Sequence, residues 1–356
     1  MQALDLGAGS PSSSLEQYLL VLLSDSNLPT GGFVASSGLE SWIQHGYLSL
    51  PPPTRPGSAP SPTPRPRPPA EASLLAFVAL SLHSYARLNV PFLRAAHSAV
   101  SSLRQSRQPD PSPSTSSSAS SASPATAHVD AALSGVLAAD ALCEAMTLNH
   151  VARRASTAQG VALLTLYERA LAPLPGDGGP ADEDVKLLVR RYRAAVRTQQ
   201  HEVGSANGHM SVAFAVLTAA VGLSLEASLS LFLFLHARSL LSSAVRVNTV
   251  GPYLAHRMLL WDVRPLVDEA VAATSHSPPE AKQNSAALEM EEQARAGGAA
   301  GEGGEDDWWD TDPSWRGIWD DDLKATAVKP TPVVTWPLGE IVATRHDQLF
   351  TRVFNS

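Results

Sequence analysis

Residues 24 to 42, SDSNLPTGGFVASSGLESW, bring together the residue types that could do chemistry: adjacent glycines Gly31 and Gly32 after Pro29, then Ser36, Gly38 and Glu40. A phosphate cradle of the Walker type needs Lys-Ser or Lys-Thr after its glycines, because lysine contacts the phosphates and the hydroxyl holds magnesium. Phe33 and Val34 stand there instead. A nucleophile elbow needs Gly-x-Ser-x-Gly between a strand and a helix, whereas Ser36-Ser37-Gly38 lies between two helical patterns. No catalytic residue is therefore assigned, and a helical hydrolase using Ser36 with a distant histidine stands as the rival reading. Eleven histidines invite a metal site, yet none pair at i and i+4, and the single Cys143 has no CxxC partner. No metal ligand is assigned. His209 reads as a buried, hydrogen-bonded histidine.

Structural roles fit the same residues. Pro29, Gly31 and Gly32 suit a sharp turn. Ser36 or Ser37 is placed to cap the next helix, with Glu40 as the reaching carboxylate of a capping box begun by Ser37. Farther on, Ala152, Ser156 and Gly160 are four apart on one helical face, so another helix can approach closely there in a tight crossing. Arg246 ends a helix-period run, where a cation favours the helix C-terminus. In the tail, Val342, His346, Leu349 and Val353, with Phe350 and Phe354 alongside, form a helical apolar stripe, and Arg345 and Arg352 share another face.

These positions need helices to hold them. Residues 15–24 fit a first helix capped by Ser12, Ser13 or Ser14, and residues 37–48 a short second one. Between 71 and 103, Leu74, Leu75, Val78, Leu82, Tyr85, Leu88 and Leu93 recur at three- and four-residue intervals, predicting two helices broken near Pro91. Residues 128–170 repeat that spacing over a run long enough to require a kink or break. The apolar run 211–241 raises a membrane span as a second rival. Gly222 and Ser224 punctuate it and Glu226 suits a first helical turn, predicting two core helices, each too short to span. Another helix follows over 252–271, with Pro252 in its first turn. With no alternating strand pattern, the fold class is all-α, a single helical-bundle domain over 12–356.

Three blocks interrupt it: 51–70, 104–127 and 273–332, rich in Pro, Ser, Ala, Gly or acidic residues. Removing them leaves roughly 250 residues, one ordinary domain. The net charge of −8 is local, because residues 289–322 hold twelve Asp or Glu and two Arg, leaving about +2 elsewhere. That excludes the basic stripe a nucleic-acid binder needs. Within the acidic block, Trp308, Trp309, Trp315 and Trp319 are either solvated linker or anchors for a basic partner. Cysteine usage and the absence of a basic, apolar leader point to the cytoplasm.

The opening turn resembles the LPxGGFxxSxGLE signature of UreF-type urease accessory proteins, through Leu28, Pro29, Gly31, Gly32, Phe33, Ser36, Gly38, Leu39 and Glu40. It departs at Val34-Ala35, where the family more often has a hydroxyl and then an aromatic or His. Arg153-x-x-Ser156-x-x-x-Gly160-x-x-Leu163 is similar to the family's RxxSxxxGxxL helix. NGHMSVAFAVLTAAVGLSLEASL, SSAVRVNTVGP and PLGEIVATRHDQLFTRVFNS resemble three further family segments in the same order. The long insertions suggest a eukaryotic member, of fungal or algal type.

The resemblance implies a homodimeric cochaperone in nickel delivery with no reaction of its own. Such a protein joins the nickel-carrying GTPase UreG to the scaffold UreD (UreH), docks on apo-urease, and couples GTP hydrolysis to metal release. No cofactor is tightly bound and nickel is handled transiently. Partner contacts are expected at Arg345, His346, Asp347, Leu349, Arg352 and Phe354 in the tail, and at Arg246 and Arg153.

Overall fold

A computed structural model describes residues 11–29, 35–49, 69–106, 124–174, 176–198, 206–275 and 332–354. Gly31, Gly32, Phe33 and the acidic tryptophan block lie outside them, as does most of each insertion. The chain divides into two units, Met1–Val271 with Pro332–Ser356, and Ala272–Thr331. Of the second, only residues 272–275 are described, as the end of a helix.

Every regular element among the described residues is helical: α1 Pro11–Leu23, α2 Leu39–Gln44, α3 Pro69–Gln105, α4 Pro124–Met146, α5 His150–Leu166, α6 Pro180–Thr198, α7 Met210–Ala220, α8 Leu225–Arg246, α9 Pro252–Met258, α10 Arg264–Ser275 and α11 Pro337–Thr344. The fold is all-α. Helix α7 is the axis: MSVAFAVLTAA is apolar on all sides and every one of its residues is buried. Helices α3, α4, α5, α6 and α8 all pack on it.

The turn from α7 to α8 follows from three residues. Gly222 adopts φ +87°, the left-handed conformation that side chains disfavour, so its N–H reaches Ala219 O and that of Leu223 reaches Thr218 O. Ser224 then caps α8 by accepting from Ala227 N. One expectation fails here. Helix α8 has 22 residues and is apolar enough to cross a bilayer by length and composition. Two-thirds of that apolar window is buried against the other helices, so the core accounts for it.

Pro91 does not break α3, which runs on for 37 residues. A proline inside a helix lacks the N–H that would bond the carbonyl four residues back, here Arg87 O. That carbonyl instead accepts from Val333 N at 3.3 Å, in the strand-like approach to α11. Nearby Thr335 N donates to Ser84 Oγ. The missing donor thus becomes an anchor for a segment more than 200 residues away, a partner no local pattern reveals.

Other boundaries also shift. Helix α1 starts at Pro11, with Ser12 to Ser14 inside it rather than capping it. The 128–170 run breaks at 147–149, where Asn149 accepts from Val151 N and Ala152 N to start α5. The 252–271 run contains a π turn, Leu259–Val263, just before Pro265. Helix α6 was not anticipated, although Val185, Leu188, Val189 and Tyr192 mark its buried face at helical spacing. The tail stripe does not form one helix. After α11 the chain makes a short 3₁₀ turn, Arg345–Gln348, and then runs on through bends, so Val342, His346 and Phe354 are buried while Phe350 is fully exposed.

Candidate functional site

The residues of the opening turn meet the tail. Ser37 and Gly38 both take positive φ, 49° and 84°, and α2 starts at Gly38 without a side-chain cap. The expected capping box therefore does not form. Ser36 is fully buried with its Oγ unpartnered. Glu40, 2% exposed, points away from its own helix start and receives the tail instead: Val353 N donates at 2.6 Å, Phe354 N at 3.2 Å and His346 Nε2 at 3.2 Å. Ser41 Oγ donates to Val342 O at 2.6 Å and Gln44 Nε2 to Thr351 O at 2.7 Å.

Gly38 completes this clasp by absence of a side chain. A Cβ there would lie 2.9 Å from that of Ala343 in α11, closer than packed carbons approach. On the far side the Arg246 guanidinium lies over the Phe354 ring, 4.4 Å from its centroid, a cation–π contact of about 0.5–1 kcal/mol. Arg246 does end α8, as its position suggested. His346 and Phe354, expected to face a partner, are buried in the chain's own tail contact.

A second convergence lies deeper. The fully buried Asp140 of α4 accepts from the backbone N–H groups of Asn207, Gly208 and His209, the last two at 3.0 and 2.8 Å, and from Tyr192 Oη at 3.0 Å. Burial and the Asp140 charge push the Tyr192 hydroxyl well above its ordinary value, keeping it a donor. His209 is buried, with Nε2 2.8 Å from Glu144 and Nδ1 3.2 Å from Ser156 Oγ, which also accepts from Met210 N. The small-residue face predicts a close approach by a helix, but at Gly160 it is this loop, just before α7, that sits on α5: a Cβ would fall 2.0 Å from Gly208 O. Gly160→Ala should therefore cost about 2 kcal/mol or more by overpacking, read as a lower urea midpoint at unchanged slope.

Arg153 serves this region too. It donates through Nε and Nη2 to Thr147 O, closing α4, and pairs with Glu144 at 3.1 Å. The exposed charge lies nearby, around Asp347. Arg154 grips that carboxylate with two nitrogens at 2.9 and 3.1 Å, and His150 and Arg352 approach at 3.3 and 3.4 Å. Arg345 is exposed beside them and Leu349 is half-buried.

The Arg154 hydrogen bonds hold Asp347 below an ordinary aspartate value of 3.8, at about 2. A carboxyl whose folded value is depressed stabilises the fold above its unfolded value and loses that contribution as pH falls. The tail-to-α5 bridge should open between about pH 4 and pH 2, seen as a carboxyl-carbon NMR titration of Asp347 that moves upward in Arg154→Ala. Among the described residues no group of three or more His, Cys, Asp or Glu is arranged around a metal position.

The motif residues thus pair across the sequence, the turn with the tail and the 153–160 helix with the Gly-His loop. A family model described as UreF matches residues 70–261. Urease accessory protein 6 of Cryptococcus neoformans var. grubii is 35% identical over 97% of this chain and 98% of its own length. The chain belongs to the UreF family. Urease accessory protein UreF of Paenarthrobacter aurescens is 29% identical over 74% of this chain and 84% of its own. An uncharacterized UreF-like urease accessory protein of Schizosaccharomyces pombe is 27% identical over 68% and 76%. The UreF match begins at α3 and ends within the π turn after α9, so the Glu40 clasp lies outside it while the Asp140 cradle and Arg246 lie inside.

Two consequences for this UreF chain follow from the site itself. A catalytic serine needs access and a base within hydrogen-bond reach, and Ser36 has neither. Glu40, Ser156 and His209 of the signature motifs hold the chain together, which sequence spacing could not reveal because their partners are 53 to 314 residues distant.

Proposed function

We propose that this chain is a urease-maturation cochaperone that bridges the nickel-carrying GTPase UreG and the scaffold UreD or UreH, and presents that assembly to apo-urease. It works in the cytoplasm as a homodimer, without a reaction of its own. Nickel is cargo passed on within the complex, and GTP hydrolysis by UreG is coupled to its release.

The observation that carries this reading is how the polar groups divide. Glu40, Ser156 and His209 are bonded within the chain, while an exposed charged cluster forms beside the clasped tail: His150 and Arg154 of α5 with Asp347 and Arg352, and Arg345 exposed in the same turn as Asp347. Charged groups on a rigid helix and a pinned tail suit recognition of another polypeptide. Family membership at near full length supports the urease pathway as its setting.

The test is reactivation of urease in cells lacking their own UreF. The full chain should restore activity, and a chain deleted of residues 338–356 should fail to restore it and fail to copurify with UreG or UreD. Copurification that survives the deletion would sink the assignment of the tail. Turnover of an ester by the purified chain, lost in Ser36→Ala, would sink the cochaperone reading.

A further inference from the structure

Between α3, α5, α7, α8 and α11 lies a cavity of about 160 Å³. Its size is many times the ~10–15 Å³ that one water needs. The walls are chemically unequal. Leu88, Val151, Met210 and the Trp336 ring are apolar, and Glu340 supplies the one carboxyl among the described lining, where no lysine or arginine appears.

Among the described lining residues there is no lysine or arginine to offset a charge on Glu340. Facing it from α3 is Tyr85, whose hydroxyl is within 3.8 Å of Met210 Sδ and is kept protonated by burial. From α8 comes His236, stacked on Tyr85 at 3.8 Å with Nε2 3.1 Å from Ser81 Oγ, and held neutral because burial lowers it to about 3. Helices α5 and α7 present only neutral groups: Asn149, Ser156, Gln159 and Met210. Burial raises the Glu340 carboxyl above its ordinary value, opposed only in part by Asn149.

Trp336 is fixed from behind. Trp42 and Phe77 contact its ring at centroid distances of 5.4 and 5.3 Å, and Gly339 gives it room, since a Cβ there would lie 2.2 Å from the ring. An aromatic wall, one uncompensated carboxylate and no competing cation describe a receptor for positive charge on an apolar stem. Bare divalent metal is a poor match, because beside the single carboxylate the His236 imidazole already has its Nε2 against Ser81 Oγ, and the hydroxyls and amides offer few ligands of the kind such ions select.

We propose that this cavity receives one organic cation, a guanidinium or primary ammonium on a short apolar stem, with Glu340 as counter-ion and Trp336 as aromatic wall. The cation is either a free small molecule or the arginine or lysine side chain of another polypeptide. The inference is independent of the bridging role.

The test is calorimetric titration of the full chain with n-butylguanidinium chloride. Binding should saturate at one site and weaken about tenfold or more in Glu340→Gln, the size of a charge-assisted hydrogen bond. Ala155→Leu, which fills the cavity from α5, should abolish binding at unchanged helical circular dichroism. Affinity should also fall as pH is lowered through the raised value of Glu340, because only the carboxylate attracts the cation. A parallel titration with a blocked Gly-Arg-Gly peptide separates the sources: binding assigns the site to a presented side chain, and failure beside successful butylguanidinium binding assigns it to a free cation. Absence of saturable binding, equal binding by Glu340→Gln, or equally tight Glu340-dependent binding of nickel chloride would overturn the proposal.

Discussion

Asp140→Ala should lower the melting temperature by about 10 °C. Its carboxylate is fully buried and is the common acceptor for three successive backbone N–H groups and the Tyr192 hydroxyl. Without it four donors stay in a dry interior, and each unsatisfied buried group costs about 1–3 kcal/mol. The loop can turn some of them toward new acceptors, so a net loss of about 4 kcal/mol is expected. At about 2–4 °C per kcal/mol for a domain of this size, the predicted shift follows. Asp140→Asn keeps one acceptor oxygen but turns an amide N–H toward the donors, so it should fall between wild type and alanine. Tyr192→Phe removes a single donor and should cost least of the three. Thermal melts followed at the helical circular dichroism band rank the variants. A shift of under about 2 °C for Asp140→Ala would show that the cradle carries little of the stability.

Glu40→Ala should act on the tail rather than on the whole fold. The Glu40 side chain satisfies Val353 N, Phe354 N and His346 Nε2 in a contact where Glu40, His346 and Phe354 are buried and Val353 is exposed. Removing it leaves those groups to find water, which they do by detaching the last residues from α2. The cost is capped by the free energy of detachment, about 2–3 kcal/mol, or roughly a hundredfold in local opening. Amide exchange at Val353 and Phe354 should quicken by about that factor, with the circular dichroism of α3 to α8 almost unchanged. Glu40→Gln should give a smaller increase because one oxygen can still accept. If the proposed use of the tail in recognition is right, Glu40→Ala also weakens capture of UreG or UreD without removing any tail residue. Unchanged exchange at both amides would show that Glu40 does not hold the tail.

The helical character of the chain was legible because it is local. Apolar residues at three- and four-residue spacing, Gly222 with Ser224 in a turn, and Pro252 in a first helical turn all act within a few residues, and each appears where its letters put it. That something packs closely at Gly160 was legible for the same reason, since small residues on one helical face leave room for it, although the spacing predicts a helix and the Gly208–His209 loop is what sits there. Helix α6 carried an equally plain signal at Val185, Leu188, Val189 and Tyr192 and was overlooked among its many charges.

What failed were inferences about polar groups. Glu40 has the spacing of a capping box, and Pro91 that of a helix break. A carboxylate or an orphan carbonyl bonds whatever donor reaches it first in space, and here the donors come from residues 333, 353 and 354. The tail shows the same limit from the other side: its apolar letters fit one helix, but the last residues leave the helix and make contacts with Glu40 and Arg246.

The sequence by itself determined the all-helical class, the approximate helix positions and the family, because hydrophobic period and motif order are properties of the chain. Only the tertiary structure decided which motif residues hold the protein together, which charges remain outside, and that Glu340 lines a cavity whose described walls carry no lysine or arginine. Packing brings distant groups within 3 Å, and at that range the choice of hydrogen-bond partner depends on position in space.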